Sequence, residues 1–238
     1  MKLENFHIKE LIIVGIILYA SFSFGFMWNW MKYYSIWATI IGLGGTGFIF
    51  FLIAKYQNAK KIPKPFKIIP LIIIPFFYIT SRLNVVLIHE SGHFFTGFAS
   101  HLYIQEVIIG LSGFVLFDYI KSNFAASYVA IAGALSIVII LILIMSILIS
   151  YRNTLKPELF FPLYFVIGLH LVEEIRYWIR GILEKSNDAW LFLERNPEIN
   201  PFYALIVLGI IVIVSIMLLT LIFIYIFKKY KEQDTKIA

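Results

Sequence analysis

Six stretches of the chain, at 11–30, 36–54, 68–98, 124–150, 159–179 and 202–227, are each about as long and as apolar as a bilayer's hydrocarbon core demands of a crossing helix. Lipid offers no partner to backbone amides, so a stretch of this kind must satisfy them internally, as a helix. Hydrophobic residues make up 61% of the chain and charged ones 14%, which excludes an ordinary soluble domain. The expected fold class is an all-α polytopic membrane protein with about six transmembrane helices. It would be integral to a membrane, a bacterial plasma membrane being the expected one. The first stretch lacks a small-residue cleavage site and is followed closely by the second, so it reads as a retained helix.

The net charge of +6 does not point to nucleic acid, because the lysines and arginines gather at the ends of the apolar stretches, where they anchor and orient helices. The connector at 55–67 carries Lys55, Lys60, Lys61, Lys64 and Lys67 without an acidic residue and is expected to face the cytoplasm. With six crossings the N-terminus, Arg152, Lys156 and the tail lysines Lys228, Lys229 and Lys231 fall on that side too. Stretch 68–98 is long, about 46 Å as a helix, and contains Pro70, Pro75, Arg82 and Asn84. It is either one kinked helix or two short passes, and only one pass keeps the tail inside. The whole of 1–238 reads as one membrane domain: two accessory helices in 1–67, a core in 68–193, and a last helix with a basic tail in 194–238.

Between Gln105 and Tyr119 the pattern changes to "QEVIIGLSGFVLFDY", β-branched and aromatic residues broken by Gly110 and by Ser112-Gly113. This predicts a short hairpin or reentrant strand pair, lining a cavity or lying at the membrane interface, with an ordinary surface hairpin as the alternative.

The chemistry sits just before it, in "VVLIHESGHFFTGF" at 85–98. On a helix, His89 and His93 share a face one turn apart and can point at a single ion, with Glu90 beside the open coordination position. The chain has no cysteine, so a metal must be held by imidazole and carboxylate. Zinc on two histidines and a carboxylate keeps a position for water and lowers that water's pKa, and Glu90 is the candidate base. Ionisable residues inside an apolar stretch are costly and usually functional. The bland alternative is a pair of core histidines satisfied by neighbouring helices. Gly92 would let another helix approach closely.

"HESGH" on an apolar helix resembles the site-2 protease family of intramembrane zinc metalloproteases, whose motif commonly has Gly before the second His. Two further features are similar: the hairpin after the motif, and "AIAGALSIVI" at 130–139, which resembles the family's Ala-Gly-Pro-Leu turn with Ala134 in place of proline. The family's third zinc ligand is an Asp on a later core helix, and the resemblance assigns it to Asp188 in "SNDAWLFL", where Ala189 replaces the usual glycine. The resemblance spans about 85–193. It implies one Zn2+ on His89, His93 and Asp188, with Glu90 taking a proton from water that attacks a peptide bond. The substrate would be a single-pass membrane protein, presented extended, and strands within 107–119 could hold it by edge pairing. Family members usually carry the zinc nearer the cytoplasm, whereas six crossings with a cytoplasmic 55–67 connector run the motif helix outward.

"HLVEEIRYW" supplies rivals: His170 and Glu174 share a helix face, and Glu173 or Glu174 is an alternative third ligand or an outer-sphere partner of a bound histidine. Arg176 and Arg180 lie within helical reach, so an ion-pair network is the structural reading of the same glutamates. Asp118, His7 and His101 are expected to bind no metal. Trp28, Trp30, Trp37 and Trp178 fit an interfacial belt. Two other functions use the same residues: a zinc-binding membrane transporter, although the chain has no repeated halves, and a non-catalytic membrane-protein chaperone. Substrate identity and oligomeric state stay open, and the partners expected are that substrate and the lipid bilayer.

Overall fold

The computed structural model describes residues 8–57, 69–118, 123–152, 155 and 157–237. It is mostly helical, with a small antiparallel sheet. Helix α1 (Ile8–Met27) leads through a 3-10 turn (Trp28–Trp30) into α2 (Tyr33–Gln57). Next come α3 (Ile69–Ala99), strands β1 (Ile104–Ile108) and β2 (Phe114–Phe117), and α4 (Asn123–Ser150). The chain ends with α5 (Pro157–Glu184), a short α6 (Asn187–Arg195) and α7 (Pro201–Ile237).

Helix α3 is one continuous helix with Pro75 inside it, not two passes. It forms the centre of the bundle. Small residues let α2 pack closely against it: a Cβ on Gly42 would lie 2.8 Å from Asn84 Oδ1, and one on Gly45 2.3 Å from Thr80 Cγ2. Asn84 Nδ2 donates to Gly42 O and to Thr46 Oγ1, bridging the two helices. Helix α1 lies along the same central helix through Phe22, Phe26 and Phe95, and Tyr19 hydroxyl is 2.7 Å from Ser91 Oγ. The main core joins Ile88 of α3, Ile137 and Leu141 of α4, Phe160 and Val166 of α5 and Ile226 of α7.

Two helices, Phe124–Ser150 and Pro201–Lys228, are long and apolar enough to cross a membrane among the described residues. That is fewer than the six crossings expected from apolar stretches alone. For α3 and α5 the difference has a physical source in their polar groups. Glu173, Glu174, Arg176 and Arg180 interrupt α5, and Arg82, Asn84, His89, Glu90 and His93 interrupt α3. Side-chain exposure follows the same division, since α7 turns Ile210, Ile213, Met217 and Leu221 outward while the motif residues of α3 are buried.

The 105–119 pattern does fold as a hairpin. Strands β1 and β2 pair antiparallel with an irregularity between Ile104 and Glu106. Met31 forms a bridge to Val107 on the other side of β1, and Lys32 Nζ lies 2.5 Å from Glu106 Oε1. The hairpin is thereby tied to the α1–α2 connection, leaving β2 as the outer strand. His101, just beyond α3, is exposed with φ 57°. Asp118 is exposed and accepts from Gln105 Nε2, while His7 lies outside the described residues.

Candidate metal centre

His89 and His93 are both buried, one turn apart on α3. Each imidazole is oriented by what its Nδ1 meets. His93 Nδ1 lies 2.5 Å from Val129 O of α4, a carbonyl that can only accept, so Nδ1 carries the hydrogen. His89 Nδ1 faces Glu174 Oε1 of α5 at 3.1 Å. In the neutral tautomers both Nε2 atoms are then left with lone pairs, and they face each other at 3.0 Å.

Asp188 closes the group. Its Oδ2 is 3.2 Å from His89 Nε2 and 3.3 Å from His93 Nε2. Three electron-pair donors converging at these distances repel one another unless protons or a cation lie between them. Donors about 2.0–2.1 Å from a tetrahedral metal are about 3.3–3.4 Å apart, close to the spacing seen here. The group could hold a metal ion.

Asp188 sits not on a long core helix but in the first turn of α6, a nine-residue helix. Its placement depends on Asn187, which adopts φ 59°, a left-handed conformation that asparagine tolerates better than most residues. Asn187 Oδ1 accepts from Ala189 N–H, capping the helix start, while Nδ2 donates to Tyr177 O on α5. The contact is close: a Cβ on Gly181 would fall within 1.8 Å of Asn187 Oδ1. At the other end of α6, Asn196 Nδ2 donates to Ser127 Oγ of α4.

Tyr177 completes this face. Its hydroxyl donates to Asp188 Oδ2 at 3.1 Å, and its ring meets His89 edge-on at 5.8 Å. Tyr177→Phe is expected to weaken metal binding about tenfold, within the 10–100-fold range of outer-sphere partners. Metal titration of the purified variant checks it, and an unchanged affinity would show the hydroxyl to be idle.

Helix α4 covers the donor atoms through a residue with no side chain. A Cβ on Gly133 would lie 2.4 Å from His93 Nε2 and 2.7 Å from His89 Nε2. Gly92 permits the approach from the α3 side, since a Cβ there would meet Ala132 O at 2.4 Å. Gly133→Ala therefore puts a methyl group where an ion would bind. Overpacking of this kind costs about 1–3 kcal/mol, so metal affinity should fall roughly tenfold to a hundredfold while helix content stays the same. Calorimetric titration alongside circular dichroism reads both.

Glu90 is buried next to this group, and the hairpin lies over it: a Cβ on Gly113 would be 2.9 Å from Glu90 Cγ. The rival ligands divide between two places. Glu174 reaches His89 from behind. His170 instead packs flat on Tyr78 at 4.9 Å, with Nε2 2.7 Å from Ser81 Oγ, two turns further down α3. Tyr78 hydroxyl donates to Glu173 at 2.8 Å. Arg180 pairs with Glu184 rather than with either of these glutamates. Among the described residues, His89, His93 and Asp188 form the one group of three arranged to share an ion.

The residues that sequence reasoning did not single out are Gly133, Tyr177 and Gly181. The first stands inside the "AIAGALSIVI" segment, and the second lies on the same helix as the two glutamates.

Neither protein-family models, nor curated proteins, nor solved structures give a match to this chain.

Proposed function

We propose that the protein is a membrane-embedded zinc-dependent endopeptidase of the site-2 protease type, hydrolysing a peptide bond in the transmembrane segment of a membrane-protein substrate. The reading is carried by one observation: His89 Nε2, His93 Nε2 and Asp188 Oδ2 lie 3.0–3.3 Å from one another beside a buried Glu90. In this reading α1, α2, α3 and α5 join α4 and α7 in the bilayer, with their polar groups turned towards each other.

His89, His93 and Asp188 would hold the ion. Zinc supplies a Lewis acid and a water whose pKa is lowered towards neutrality. Glu90 would act as the base, accepting a proton from the water that attacks the scissile carbonyl and returning it to the leaving amine nitrogen. Glu174 and Val129 O keep the two imidazoles turned so that Nε2 stays available. The substrate must be extended to expose its carbonyl. The outer edge of β2, which pairs with no other strand among the described residues, suits that need, since Met31 occupies the other side of β1.

The reading is tested by measuring metal content and cleavage of a single-pass membrane substrate for the wild type beside Glu90→Gln. A transporter would tolerate that change, whereas a peptidase keeps its metal and loses turnover.

A further inference from the structure

We infer that the metal centre opens to the non-cytoplasmic side of the membrane and acts on the outer-leaflet half of its substrate's transmembrane segment. The word substrate rests on the peptidase reading, while the side and depth rest on how the helices are arranged.

Contacts between helices fix which of their ends lie together. Tyr19 beside Ser91 and Phe26 beside Phe98 run α1 parallel to α3. Gly42 against Asn84 and Gly45 against Thr80 run α2 the opposite way. Val129 against His93, with Ser127 bonded to Asn196, brings the start of α4 and the end of α6 to the end of the bundle where α3 finishes. Tyr164 donating to Leu219 O sets α7 against α5. One end of the bundle therefore gathers the α1–α2 connection, the hairpin, the start of α4, α6 and the start of α7.

The metal group belongs to that end. His93 and His89 stand six and ten residues before the last residue of α3, about 9 and 15 Å along a helix. Asp188 comes from α6 itself. Exposed Trp28, Tyr33, Tyr34, Trp37, Tyr103 and Tyr203 ring the same end, as a membrane–water interface favours.

Charge tells the two ends apart. In the sequence, the segments 1–10, 55–67, 151–156 and 228–238, which flank the helix ends opposite the metal group, hold 13 of the chain's 20 lysines and arginines. The segments that flank the helix ends on the metal side hold five in the sequence: Lys32, Lys121, Arg180, Lys185 and Arg195. Arg82 and Arg176 lie between. Lysine and arginine near helix ends are retained on the cytoplasmic side, so the metal end faces away from it. Water then reaches Glu90 from outside, and the peptide accepted is one that unwinds near its outer end.

The chain has no cysteine, so single cysteines can be labelled against a silent background. Tyr103→Cys and Glu198→Cys, both at exposed positions of the metal end, are compared with Lys231→Cys in the tail, using a membrane-impermeant maleimide on intact bacterial cells. The first two are expected to react on intact cells and Lys231→Cys only after permeabilisation. The reverse pattern, or equal reaction of all three on intact cells, overturns the inference. A second measurement needs no variant: zinc-loaded wild type in right-side-out vesicles should lose its metal to EDTA at least tenfold faster than in inverted vesicles, and equal rates overturn the inference as well. Failure of the peptidase reading would show separately, in detergent, as unchanged cleavage by Glu90→Gln.

Discussion

Glu90→Gln is expected to lower kcat about 10²–10⁴-fold, the usual worth of a general base, with metal content and helix content unchanged. Glutamine has nearly the same shape as glutamate, so the hairpin that packs on Glu90 through Gly113 has no reason to move. What is lost is the ability to accept a proton. His89, His93 and Asp188 are untouched by the change, and KM should therefore stay within about twofold. Cleavage at the wild-type rate would eliminate Glu90 as the base, and loss of metal together with activity would make it a ligand.

The second large effect separates two carboxylates. Asp188→Ala should empty the site, leaving close to no metal after dialysis, because Oδ2 is the carboxylate oxygen that faces both Nε2 atoms. Glu174→Ala removes the group behind His89 Nδ1 and not a donor on the shared face. It should retain metal at an affinity reduced by about 10–100-fold. Metal analysis of the two variants beside wild type reads the difference directly. An empty Glu174→Ala with a loaded Asp188→Ala would reverse their roles.

Much of this centre is legible in the chain, for a local reason. His89, Glu90 and His93 lie within five residues, and the 3.6-residue helical repeat alone sets which of them share a face. The hairpin at 104–117 is legible for a similar reason, through its glycines and β-branched residues. Gly133 is less so, because its importance is the absence of a side chain at a place defined by two other helices. The split between His170 and Glu174 depends on the rotation of α5 relative to α3, which spacing along α5 cannot supply. Asp188 shows the limit best. The resemblance assigns the residue its role, but it lies on a short polar helix capped by Asn187, and not on a long core helix. The apolar stretches of α3 and α5 are likewise less apolar than their length suggests, since these two helices carry the polar groups that surround the centre.

The position of Asp188 has a further consequence. It lies 99 residues after His89, so an ion shared by the two would act as a cross-link closing a very long loop of chain. Such a bond restricts the unfolded chain strongly, and by mass action a ligand present at a hundred times its Kd adds about 2.7 kcal/mol to stability. The catalytic ion would then double as a staple, and stripping it should let amides of α6 exchange with deuterium sooner than those of α4.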